Sequence, residues 1–278
     1  MSLDFSLYLD LICHHYEKWG QFYTLTDVVG QSSIQREATL PLLDLGLMVQ
    51  TIAINKDPKT NESKLERFTV LAGVRKFAAD HVLLVGRPGS GKSTALARLL
   101  LEEAQQNSAA LIPVLVELRY YKTSVLELIR SFFQSHDLSL DRSDIETLLF
   151  QGRLLLLMDG LNELPSEESR REVKAFRQTY RKTPMIFTTR DLGIGGDLNL
   201  TRKLEMQPLT SKQMQEFVRS YLPTQGDALL RQLGARLREF GQTPLLLWML
   251  CVVFKNNQNR IPPNLGSVFR WFTQVYYC

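Results

Sequence analysis

The octapeptide Gly86-Arg87-Pro88-Gly89-Ser90-Gly91-Lys92-Ser93 follows directly on the apolar run Val82-Leu83-Leu84-Val85. No other segment constrains the fold as tightly. A short continuous apolar run suits a strand buried on both faces of a parallel sheet. The glycines after it let the backbone curl, so that successive N–H groups point inward as an anion nest. Residues 93–106 then read as a helix, with Ala95, Leu96, Leu99, Leu100 and Ala104 on one side. Strand, glycine-rich loop and helix in that order make a phosphate loop. The helix start adds unpaired N–H groups and the positive end of its dipole. Lys92 brings a mobile charge to the β- and γ-phosphates. Ser93 offers a hydroxyl to Mg²⁺. Gly86, Arg87, Pro88, Gly89, Ser90, Gly91, Lys92, Ser93 and Thr94 are therefore the candidate nucleotide-binding residues.

A second apolar run, Leu154-Leu155-Leu156-Leu157-Met158-Asp159, ends in a carboxylate. Strand C-termini line the ligand crevice of a parallel sheet. Asp159 is thus expected near Mg²⁺, as a second metal-side group beside Ser93. Glu163 follows on the loop and is the candidate base for an attacking water. Phe187-Thr188-Thr189-Arg190 closes a further strand at the same edge. Two readings of Arg190 stand: it senses the γ-phosphate, or it pairs with Asp191 or another surface acid. Thr243-Pro244 opens an apolar helix as N-cap and first-turn proline.

Three regions emerge along the chain. Residues 1–65 read as helical and irregular, with a helix over 3–23, an extended stretch over 24–29, and a polar linker over 55–64. Residues 66–208 alternate strand and helix, with strands expected at 68–71, 82–85, 111–118, 154–158, 185–189 and 203–206. That alternation predicts an α/β fold: a parallel five-stranded sheet sandwiched by helices. Residues 209–278 are all-helical, with helices expected over 211–221, 228–240, 244–254 and 267–277.

The chain has a formal charge of +4 and no long Lys/Arg run, so nucleic acid is not indicated. Cys13, Cys251 and Cys278 are few, odd in number and far apart, which fits reduced thiols. Cys13-His14-His15 reads as packing rather than a metal site, because adjacent helical side chains diverge. The N-terminus lacks the basic region of a signal peptide, and Asp4 and Asp10 interrupt its apolar part. The longest apolar run, residues 244–254, is too short to span a membrane. The expectation is a cytoplasmic protein with no membrane partner.

Taken together, the phosphate loop, LLLLMDGLNEL, IFTTR, LEMQPLTSKQMQEFV and TPLLLWML resemble a NACHT-family nucleotide-binding module of the STAND class, as found in bacterial signalling and defence proteins. The resemblance covers residues 66–278. It implies ATP or ADP with Mg²⁺, and a sheet whose Arg190 strand lies between the phosphate-loop and Asp159 strands. It also implies a helical lid in which Pro244 contacts the adenine side. ADP would hold a closed monomer, and ATP would permit self-association through the module. Two departures stand out. Asn162 occupies a position where the family often has Asp, which leaves Glu163 as the acid there and implies slow hydrolysis. Gly241-Gln242-Thr243-Pro244 is one residue longer than the family's glycine-x-proline spacing. Family members continue into a winged helix and a sensor array, so the resemblance implies a truncated or shortened member.

The leading expectation is an ATP/ADP switch with weak ATPase activity in signal transduction or defence. A GTPase would carry an NKxD-type base selector, and the only Asn-Lys here, Asn55-Lys56, lies upstream of the loop. A metabolic kinase would need an arginine-rich lid, and only scattered arginines follow Arg190. A non-hydrolysing module that holds ADP is the remaining alternative. Upstream signal and effector are not legible in the residues.

Overall fold

Val82-Leu83-Leu84-Val85 is buried along its whole length and runs through the middle of the sheet. The computed structural model describes residues 4–17, 46–52, 65–106, 111–190, 198 and 200–277. The extended stretch expected at 24–29 and the linker at 55–64 lie outside the described residues, as do Asp191 and Cys278. The strands among the described residues are β1 (Met48–Thr51), β2 (Arg67–Thr69), β3 (Val82–Val85), β4 (Ile112–Glu117), β5 (Leu154–Asp159), β6 (Met185–Thr189) and β7 (Arg202–Met206). The helices are α1 (Ser6–Glu17), α2 (Val70–Phe77), α3 (Lys92–Gln105), α4 (Val125–Gln134), α5 (Arg142–Phe150), α6 (Glu167–Thr179), α7 (Ser211–Tyr221), α8 (Gly226–Leu233), α9 (Leu237–Phe240), α10 (Pro244–Asn256) and α11 (Leu265–Tyr277).

The sheet order is β2-β1-β7-β3-β6-β5-β4. From β7 to β4 every pairing is parallel. The five expected parallel strands are therefore present, with β6 between β3 and β5 as the resemblance implies. Two antiparallel strands extend them: β1 pairs with β7, and β2 pairs with β1. Strand β1 escapes a sequence reading because Val49 is its one buried side chain, which leaves no periodicity to detect.

Two further expectations are corrected. The strand at 68–71 stops at Thr69, and Val70 and Leu71 open α2 instead. There a helical stripe wins, because Val70, Val74 and Phe77 share one buried face. The helix expected over 228–240 is interrupted after Leu233 by Gly234, whose φ is +48°.

The apolar residues form two cores. One surrounds the sheet and includes Leu84, Leu96, Leu156 and Phe187. The other lies among α7, α8, α10 and α11, around Phe217, Leu229, Trp248 and Phe272. Leu47, just before β1, packs against both. Helix α1 docks on the first core through Tyr8 and Ile12, and the Tyr8 hydroxyl donates to the Pro113 carbonyl at 2.7 Å. Cys13 on α1 is half-buried, while His14 and His15 are exposed. None of the described helices is long and apolar enough to cross a membrane.

Candidate functional site

At the C-terminal end of β3 the chain turns over residues 87–90, closed by a hydrogen bond from Ser90 N to the Arg87 carbonyl at 3.1 Å. Pro88 fits the first central position of such a turn, and Gly89, with φ of +72°, fits the second. Gly91 follows at φ +94° and is the N-cap of α3. It has no side chain to cap with. Helices α4, α5, α6, α7 and α10 are instead capped by Ser124, Asp141, Ser166, Thr210 and Thr243, each accepting from a first-turn N–H. The first turn of α3, which carries Lys92, Ser93 and Thr94, is thus left without a side-chain acceptor.

Lys92 folds back over the loop. Its Nζ donates to the Gly86 carbonyl at 2.7 Å and to the Arg87 carbonyl at 3.2 Å. The side chain is buried, and that burial brings its pKa down from 10.5 to about 8. Asp159 and Glu163 push it back up, while Arg190 pushes it further down. All three sequence-predicted charged groups therefore act on this one ammonium. Ser90 Oγ is buried and makes no hydrogen bond among the described residues. A helix start without a side-chain acceptor, an ammonium and an orphaned hydroxyl suit a polyphosphate.

Asp159 ends β5, one strand away from β6. One carboxylate oxygen, Oδ1, accepts from the Thr188 hydroxyl of β6. Thr188 Oγ1 in turn accepts from the Gly160 N–H at 2.8 Å. A carboxylate and a serine hydroxyl are hard oxygen donors of the kind Mg²⁺ selects, so Asp159 and Ser93 fit that ion. Beyond Gly160, the Asn162 side-chain oxygen accepts from the Arg190 N–H at 3.1 Å. The Arg190 guanidinium donates to Glu163 Oε1 at 2.8 Å. Of the two readings of Arg190, an acidic partner is thus the one seen here. That partner is the candidate base itself.

The other side of the loop meets the helical region. Arg87 Nη1 donates to Gln242 Oε1 at 2.9 Å, and Leu245 N donates to the Gly89 carbonyl at 3.3 Å. A Cβ on Gly89 would lie 2.6 Å from the Leu245 Cβ, so the loop and α10 are in close contact. Pro244 is buried in the first turn of α10, after the Thr243 cap.

Thr188, Gln242 and Leu245 are absent from the residues singled out by sequence. Thr188 stood inside a recognised motif, although nothing there marked its hydroxyl. Leu245 acts through its backbone, which no side-chain pattern reports.

Residues 80–225 match the family model described as the NACHT domain, more than half of the chain. The chain belongs to the NACHT family. NACHT domains are STAND-class P-loop NTPase domains, so this module is a P-loop NTPase nucleotide-binding module. No curated protein matches the NACHT chain. Among solved structures it is similar to Cdc6p from Pyrobaculum aerophilum, at 14% identity and a TM-score of 0.44, covering 67% of this chain and 60% of that one. It is also similar to Drosophila ORC bound to DNA, at 15% identity and a TM-score of 0.45, covering 88% of this chain and 70% of that one.

Proposed function

We propose that this NACHT module is an adenine-nucleotide switch with slow Mg²⁺-dependent ATP hydrolysis, serving signal transduction or defence. The observation that carries the reading is the double grip on the phosphate loop. Asp159 at the end of β5, Glu163 on the turn after it and Arg190 just after β6 act on Lys92 from one side. On the other side, α10 takes the Gly89 carbonyl and Gln242 takes Arg87. A ligand that reorders the loop therefore has differential contact with two arrangements of the helical region, which is what a switch requires.

The residues divide the work. Gly86 to Gly91 and the start of α3 would hold the phosphates through N–H groups. Lys92 would leave the Gly86 and Arg87 carbonyls for the β- and γ-phosphates. Ser93 and Asp159 would hold Mg²⁺, which when bound supplies charge neutralisation between the phosphate oxygens. Glu163 would orient and deprotonate the attacking water. Its ion pair with Arg190 supports slow turnover, since a carboxylate engaged by a guanidinium must leave that partner before it can orient a water. A γ-phosphate would compete for Arg190 and release Glu163. Pro244 lies at the start of α10 and would face the adenine side. In the ATP state the freed module would self-associate.

Mass spectrometry of the nucleotide that co-purifies with the protein tests this reading. ADP or ATP is the expected result, with measurable phosphate release that magnesium removal stops. Preference for GTP in competition would overturn the adenine reading, and bound ADP with no phosphate release would overturn hydrolysis.

A further inference from the structure

Strands β5 and β6 run parallel, with Met158 beside Phe187, so Asp159 and Thr188 come next to each other at the strand ends. The Thr188 hydroxyl touches two groups on β5 and its loop: it accepts from Gly160 N at 2.8 Å, and it contacts Asp159 Oδ1. A hydroxyl has one proton, and an ionised carboxylate can only accept. The Gly160 N–H donates to the Thr188 oxygen, so the Thr188 proton is directed to Asp159. The chain of bonds from Gly160 through Thr188 to Asp159 then has a single polarity.

Thr188 is only 1% exposed, so water is kept from replacing either bond. Asp159 Oδ2 makes no hydrogen bond among the described residues. The hydroxyl therefore fixes the orientation of the carboxylate through one oxygen and leaves the other for a cation. The same hydroxyl pins Gly160, from which the turn to Asn162 and Glu163 departs. That turn is held a second time from β6, where Arg190 N donates to Asn162 Oδ1.

We infer that Thr188 is the positioning residue of the magnesium-side carboxylate, acting on the cation site through Asp159. The inference rests on the reading of Asp159 as the Mg²⁺ acid. Partners that orient a metal ligand typically change metal affinity by roughly 10- to 100-fold when removed. Valine has the shape of threonine without the hydroxyl, and it keeps the branched side chain that suits a strand.

The test is a titration of Mg²⁺ against the full chain at fixed ADP, read as nucleotide affinity by calorimetry, beside the same measurement in EDTA. Thr188→Val is expected to raise the Mg²⁺ concentration required by at least about tenfold, while Mg²⁺-free ADP affinity stays at the wild-type value. Thr188→Ser is expected to restore the wild-type magnesium requirement. In an Asp159→Asn background, Thr188→Val should add nothing further. A wild-type magnesium requirement in Thr188→Val overturns the inference, as does an equal loss of Mg²⁺-free binding or a failure of Thr188→Ser to rescue. If Thr188→Val does not fold, Thr188→Ser and Thr188→Ala are compared, and equal magnesium requirements in the two overturn it. A wild-type protein whose ADP affinity ignores Mg²⁺ overturns the underlying reading of Asp159, and this shows before any variant is made.

Discussion

Helices α3 and α10 both begin at the phosphate loop, and their first turns are built on opposite plans. Helix α3 starts from Gly91, a left-handed residue with no side chain, so no side chain accepts from its first N–H groups. Helix α10 starts from Thr243, whose hydroxyl accepts from Leu246 N at 3.4 Å, and Pro244 at its first position has no N–H to satisfy. The next donor, Leu245 N, goes to the Gly89 carbonyl. The start of α10 is thus complete with protein partners alone. The start of α3, like those of α2 and α8, has no side-chain cap, and at the end of the phosphate loop an anion would supply the missing acceptors. Under the proposed function, this difference makes α3 the receptor and α10 the docking element, with the same loop between them.

Removing the charge at the receptor end should have the largest effect. Lys92→Ala is expected to weaken MgATP binding by about 100-fold or more, on the scale of about 3 kcal/mol for a hydrogen-bonded charge pair. The far-ultraviolet circular dichroism should be unchanged, because Lys92 is not among the apolar side chains of either core. Affinity close to wild type, measured by calorimetry, would remove the distinction between the two helix starts.

Substitution at the loop should couple both ends. Gly89→Ala places a Cβ against Leu245 and holds alanine at φ +72°, a conformation costing about 1–2 kcal/mol for an L-residue before the clash. Thermal unfolding should shift down accordingly, and amides of α10 should exchange faster. A variant that lost stability with unchanged α10 exchange would break the proposed docking.

The receptor end should also depend on pH. Lys92 has a folded pKa of about 8 against an ordinary 10.5, so between those values the unfolded chain holds more protons than the nucleotide-free fold. Stability without nucleotide therefore rises with pH across that window, as the buried charge is relieved. Bound phosphates favour the charged form, so above pH 8 binding takes up a proton. MgATP affinity should fall there by up to about tenfold per pH unit and stay flatter below. Calorimetry in buffers of different ionisation enthalpy checks the proton uptake, and Lys92→Arg should abolish it.

The smallest effect belongs to the docking end. Thr243→Ala loses an N-cap worth about 1 kcal/mol, read in chemical denaturation. MgATP affinity should change less than about threefold. A large affinity loss would mean that α10 contacts the ligand more directly than its capped start implies.

The receptor helix was more legible in the sequence than the docking one, for physical reasons. A buried parallel strand, a glycine loop and an apolar helical stripe each write a strong local pattern, and β3, α3, β5 and β6 carry all of them. Lys92, Asp159, Glu163 and Arg190 stand at strand or helix ends, where their types and spacing are informative. Strand β1 has one buried side chain and takes its place from pairing with β7, a long-range contact no local window contains. Val70 and Leu71 look like strand residues by type, and only their packing around Val74 and Phe77 makes them helical. The contacts of Leu245 and the Thr188 hydroxyl depend on distant backbone groups, so residue type alone does not expose them. The Arg190–Glu163 pair was visible as two residues and invisible as a pair.

Amide hydrogen exchange resolved at residues 91–94 and 245–248, with and without MgATP, tests the contrast most directly. The account predicts strong new protection at the start of α3 on MgATP binding, because phosphate oxygens take the uncapped N–H groups. The capped start of α10 should show protection already present without nucleotide. Unchanged exchange at residues 91–94 under saturating MgATP would contradict the assignment of that helix start as the phosphate receptor.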